Sequence, residues 1–101
     1  MTVSERPTED DVVRAFRVTG RVQGVGFRWW TVRTAEEAGV GGTVRNCADG
    51  SVEVKVAGPA EAVERLRVAL EHGPAAARVE GVEEEDPPDP KTSRTSFRIV
   101  R

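Results

Sequence analysis

Val12-Val13-Arg14-Ala15-Phe16-Arg17-Val18-Thr19-Gly20-Arg21-Val22-Gln23-Gly24-Val25-Gly26-Phe27-Arg28 carries a strand, a loop and the start of a helix in one run. Val12, Val13, Phe16 and Val18 form a short β-rich segment that stops at Thr19-Gly20, which reads as a strand. The next residues place two glycines around Val25, and Phe27 then opens a helical pattern. Phe27, Trp30, Thr34 and Ala38 recur at helical spacing, Thr31 and Ala35 widen the stripe, and Gly39 stands where a left-handed cap closes a helix.

Outward from this run, Gly41 to Cys47 reads as a second strand, Ala48-Asp49-Gly50 as a turn, and Val52, Val54 and Val56 alternate with Glu53 and Lys55 as a third strand. Gly58-Pro59 is expected to begin a second helix with proline in its first turn; Val63, Leu66 and Leu70 share a face, and Gly73-Pro74 ends it. Val79 and Val82 suggest a fourth strand, residues 86–90 a proline-rich loop, and Phe97 with Ile99 a last strand. The order is that of an α+β, ferredoxin-like split βαβ fold: βαββαβ plus a terminal strand, with two helices on one face of a mainly antiparallel sheet. Residues 1–11 are expected to be a flexible tail and 12–101 a single domain.

The first two strands, joined through a helix, should run parallel and end at the same sheet edge. That brings the Gly24–Gly26 loop and Asn46 to one edge. With the third strand between them they stand two inter-strand spacings apart, roughly 10 Å, which an anion and a water can bridge.

Composition narrows the function. A chain of 101 residues has no room for a cofactor domain beside a substrate domain. Its 15 Lys and Arg nearly balance 17 Asp and Glu, so there is no positive field to hold a nucleic acid. The lone cysteine, Cys47, excludes an internal disulfide and a Cys-based zinc site. On a strand beside Asn46 it should point to the opposite face and serve packing. The only histidine, His72, near the end of the second helix, suits a surface or capping role, and neither metal nor cofactor is expected. Short apolar runs and a polar, charged start argue for a soluble cytoplasmic protein with no membrane partner. Two further features have ordinary explanations. Trp29-Trp30 should place one ring in the core and one half-exposed, and Glu83-Glu84-Glu85-Asp86 should be a solvated strand end.

Gly24 and Gly26 let the chain curl so that successive backbone N–H groups face inward, and the start of the helix adds its positive dipole end. Arg28, tilted back toward that end, can add a planar two-donor fork to the same anion. The loop lacks the third glycine of a dinucleotide fingerprint and the Gly-Lys-Ser/Thr of a P-loop.

The string Gly20-Arg21-Val22-Gln23-Gly24-Val25-Gly26-Phe27-Arg28 resembles the acylphosphatase signature, and the resemblance continues through Gly42-Thr43-Val44-Arg45-Asn46, Asp49-Gly50-Ser51-Val52-Glu53, Gly73-Pro74 and Ala77-Arg78-Val79. Departures are mild, such as Leu66 where many relatives carry an aromatic. The resemblance implies a metal-independent hydrolase of small acyl phosphates, in which Arg28 binds phosphate, Asn46 orients the attacking water, and Gln23, Gly24, Val25, Gly26 and Phe27 supply the rest of the phosphate cradle. It implies inorganic phosphate as product and inhibitor, and a monomer. The competing reading is a non-catalytic ferredoxin-like module that binds an anion or a protein partner, since fold alone does not fix function.

Overall fold

The structure is a computed structural model and describes residues 11–101. The expected tail over residues 1–10 lies outside the described residues; Asp11, expected to belong to it, opens the first strand. The elements run β1 (Asp11–Arg21), α1 (Phe27–Ala38), β2 (Gly41–Asn46), β3 (Val52–Pro59), α2 (Ala60–His72), β4 (Arg78–Glu85) and β5 (Phe97–Ile99). They form one sheet in the order β4-β1-β3-β2-β5, in which only the β2–β5 pair is parallel. The expected α+β, ferredoxin-like arrangement is what is found. β1 and β2 are both antiparallel to β3 and so parallel to each other.

Alternation along the strands decides which face is covered. Phe16 and Val18 of β1, Val44 of β2 and Val52, Val54 and Val56 of β3 are buried, and meet Phe27 and Ala35 of α1 and Ala62, Val63, Leu66 and Leu70 of α2 in one core. Removing a fully enclosed leucine such as Leu66 from such a core costs about 2–5 kcal/mol. The opposite face carries charges that pair across strands, Arg17 with Glu85 and Arg45 with Glu53.

Several local expectations need correction. Gly58 and Pro59 finish β3 rather than opening α2; Pro59 sits at the N-cap with φ −57° and ψ 137°, because an extended ψ continues the ladder to Asp11. β1 runs on to Arg21 through an irregularity between Thr19 and Gly20. A Cβ on Gly20 would lie 2.2 Å from the Arg78 carbonyl oxygen, so only glycine permits β4 to approach there. The buried stripe of α1 is Phe27, Thr31, Val32 and Ala35, turned slightly from the expected one. Thr31 can enter it because its hydroxyl donates to the Phe27 carbonyl at 2.8 Å. Neither tryptophan is a core residue: Trp29 is 68% exposed, and half-buried Trp30 packs on Phe27 with ring centroids 5.3 Å apart. The acidic run is not simply solvated either, since Glu84 holds Arg14 and Glu85 holds Arg17.

Candidate active site

The β1–α1 loop owes its path to alternating anchors and hinges. Val22 and Phe27 are buried and Val25 packs against the core, while Gly24 and Gly26 take φ of 74° and 77°. A Cβ at either glycine would meet nothing within 4 Å. The requirement for glycine there is conformational, not spatial. Gly26 is also the N-cap of α1, with no side-chain cap and no acidic residue in the first turn. The first intrahelical bond runs from the Trp30 N–H to the Gly26 carbonyl at 3.0 Å, so the preceding N–H groups, of Phe27, Arg28 and Trp29, have no partner one turn back. They stand at the positive end of the helix dipole, where an anion is favoured.

Arg28 stands in that first turn, half-buried, and among the described residues no carboxylate pairs with it. Arg14, Arg17, Arg45 and Arg67 are all committed to acidic partners. Asn46 is the last residue of β2 and lies opposite Val52 of β3, which on its other side lies opposite Val18 of β1. The expected separation by one intervening strand is thus found, and both strands end at the edge that carries the loop. The Asn46 carbonyl oxygen Oδ1 is buried without a hydrogen-bond partner among the described residues. A buried, unsatisfied acceptor costs free energy unless a water or ligand meets it.

Gln23 does something its place in the loop did not suggest. Its side-chain amide donates to the carbonyls of Cys47 at 2.8 Å and Ser51 at 2.9 Å, fastening the phosphate-type loop to the turn that follows Asn46. That turn is closed further by the Cys47 N–H on the Ser51 carbonyl and by Asp49, which accepts from the Ser51 N–H at 2.9 Å and hydroxyl at 2.6 Å. The Ser51 hydroxyl and N–H, with Arg17 beyond them, hold the Asp49 carboxyl below its ordinary pKa. The turn therefore stays anionic and locked near neutral pH. Cys47 is half-buried within this turn, one residue past β2, rather than on the far face of a strand. His72 ends α2 with Nδ1 3.0 Å from the Val68 carbonyl oxygen, remote in sequence from these residues.

Sequence reasoning did not find Arg17, Asp49 and Ser51 as the fasteners of the Asn46 turn. Asp49 was legible only as part of a turn and Ser51 only within the string that resembles the family, because their partners come from other segments. Among the described residues no three His, Cys, Asp or Glu side chains gather into a metal-ligating group, and no helix is long and apolar enough to cross a membrane.

The sequence model of the family described as acylphosphatase matches residues 14–99. An acylphosphatase of Koribacter versatilis is 51% identical over 92 residues, spanning 91% of this chain and 83% of its own length. Another, of Nitrobacter hamburgensis, is 57% identical over 76 residues, 75% of this chain and 77% of its own. The solved structure of an acylphosphatase from Coxiella burnetii superposes with a TM-score of 0.77 at 32% identity, covering 91% of this chain and 95% of that one. With both the Gly24–Arg28 loop and the Asn46 turn inside the matched residues, the chain belongs to the acylphosphatase family.

Proposed function

We infer that the protein hydrolyses the carboxyl–phosphate bond of small acyl phosphates, releasing a carboxylate and inorganic phosphate. The observation that carries this reading is the pairing, at one sheet edge, of a helix start that bears Arg28 and has no side-chain cap with the buried Oδ1 of Asn46, unpartnered among the described residues. The helix start and Arg28 suit the phosphoryl oxygens, and Gly24, Val25 and Gly26 hold the backbone in the curve that aims its donors at them. The Asn46 carbonyl suits a water hydrogen, which leaves a lone pair of that water free to attack phosphorus.

The chemistry asks for little more. The water oxygen forms the new bond to phosphorus as the bond to the acyl oxygen breaks, the electron pair leaves on the carboxylate, and the water proton passes to solvent. A carboxylate is already a weak base, so its departure needs no general acid. What remains is placement and neutralisation of charge on the equatorial oxygens, which preorganised donors supply. In this reading Gln23 acts through its strap, holding the two halves of the site in register, rather than by donating its side chain to phosphate. The product, inorganic phosphate, shares the phosphoryl group with the substrate and inhibits competitively. The protein acts as a cytoplasmic monomer, where the lone Cys47 thiol stays reduced.

The test is hydrolysis of acetyl phosphate by the purified protein with and without EDTA. Turnover insensitive to the chelator is expected. Phosphate binding at residues 23–28 without any turnover would leave a non-catalytic anion-binding module instead.

A further inference from the structure

A concavity of about 540 Å³ opens beside Arg28. Arg28, Trp29 and Val32 of α1 form one wall, and Phe97, Arg98 and Ile99 of β5 form the other. Its volume is typical of small-ligand clefts, roughly 300–1,000 Å³. The lining is aromatic and branched aliphatic apart from two arginines, Arg28, which is shared with the anion site, and Arg98. β5 is parallel to β2, and the Val100 N–H continues its ladder onto the Val44 carbonyl at 2.9 Å, so β5 finishes at the sheet edge where Asn46 finishes. Arg28 lies one turn nearer the start of α1 than Val32. The cleft therefore begins at the anion site and leads away from it along the α1–β5 seam. Trp29, 68% exposed, presents a large ring to solvent at this cleft, whereas such rings are ordinarily withdrawn from water.

We propose that the α1–β5 cleft is the acyl subsite: it receives the organic part of the substrate while Arg28 holds the phosphoryl part, and it selects acyl phosphates with aromatic acyl groups over acetyl phosphate. This rests on the acyl phosphate reading above. The acyl carbon is joined to phosphorus through a single oxygen, so an acyl group on a phosphate held by Arg28 emerges beside that side chain, and Arg28 is the residue common to both sites. An acetyl group brings only a single methyl to this lining. A flat aromatic acyl group can lie against the Trp29 ring and exclude water from the aliphatic wall. Trp29 is a specificity residue here. Its exposure makes substitution compatible with folding.

The experiment compares benzoyl phosphate with acetyl phosphate on the wild-type protein, Trp29→Ala and Trp29→Phe. The wild type should favour benzoyl phosphate in kcat/KM, and Trp29→Ala should lower the benzoyl-to-acetyl ratio about tenfold, mainly through KM for benzoyl phosphate, as loss of one aromatic packing partner implies. Trp29→Phe should restore most of the ratio. Sodium benzoate, added with inorganic phosphate present, should move the Trp29 indole N–H resonance more than that of Trp30. A ratio unchanged in Trp29→Ala, or benzoate shifts that avoid Trp29, Val32 and Ile99, would overturn the subsite while leaving the hydrolytic reading intact. Absence of turnover on both substrates by the wild type would overturn the hydrolytic reading itself, and the subsite with it.

Discussion

Arg28 offers a planar fork of donors at the start of α1, and the distinction between that fork and mere positive charge can be measured. Arg28→Lys keeps the charge but replaces the fork with a point donor. The expected outcome is a loss of kcat/KM for acetyl phosphate on the order of 10²-fold, within about a factor of ten of the loss in Arg28→Ala. Near-normal kinetics in the lysine variant would show that charge alone suffices. The place of Arg28 in the first turn of α1 was legible in the sequence, because it follows a Gly-x-Gly turn at the offset of a helix start. The place of Asn46 at the sheet edge of the loop was legible from the strand order, and its role only through resemblance. Nothing in its sequence neighbours announces that its Oδ1 is a buried acceptor.

Between elements, the joint that matters is the Gln23 strap from the β1–α1 loop to the turn between β2 and β3. Gln23→Ala removes two donated hydrogen bonds, although the Ser51 carbonyl keeps the Cys47 N–H. A stability loss of about 1 kcal/mol is expected, and a drop in kcat of about tenfold because the two halves of the site lose their common register. Gln23→Glu should be worse than alanine near neutral pH, since a carboxylate has no proton to donate and would face two carbonyl oxygens. Urea denaturation alongside kinetics checks both; a glutamate variant as active as wild type would show that the strap does not set the site. The strap marks where sequence reading stopped. Periodicity identified each strand and helix, because alternation and 3.6-residue spacing are local signals. It missed the role of Gln23, the pairing of Glu84 and Glu85, and the end of β3 at Pro59, because each depends on a partner in another element. Gly58-Pro59 has the composition of a helix start, and the ladder partner Asp11 overrides it.

At the scale of the whole molecule, charge pairs tie the sheet to α2, and they give stability a predictable pH dependence. Arg67 first, and Arg14 second, hold the Glu64 carboxyl down from 4.5 to about 2, and Arg14 also lowers Glu84. A depressed carboxyl stabilises the fold fully above its unfolded pKa and loses that contribution as pH falls through the folded value. Stability by urea denaturation should therefore be level at neutral pH and fall between about pH 5 and pH 2, the window set by the Glu64 shift. Glu64→Gln should flatten part of the fall, and about 1 M NaCl should shrink it, since the Glu64 and Glu84 side chains are 47% and 49% exposed and screening then acts over roughly 3 Å. A profile unchanged by either would remove these pairs from the account of stability. The same architecture divides the proposed site between two elements, with Arg28 on α1 and Asn46 at the end of β2, and it sets β3 between β1 and β2. Holding the anion and placing the water should therefore be separable by mutation. The most direct test is to measure kcat for acetyl phosphate and the inhibition constant of inorganic phosphate in Asn46→Ala and Arg28→Ala, with circular dichroism confirming that both fold. The account predicts that Asn46→Ala loses kcat by about 10²-fold or more while phosphate affinity stays close to wild type, and that Arg28→Ala loses phosphate affinity as well. A folded Asn46→Ala protein with wild-type kcat, or with phosphate affinity reduced as far as in Arg28→Ala, would contradict it.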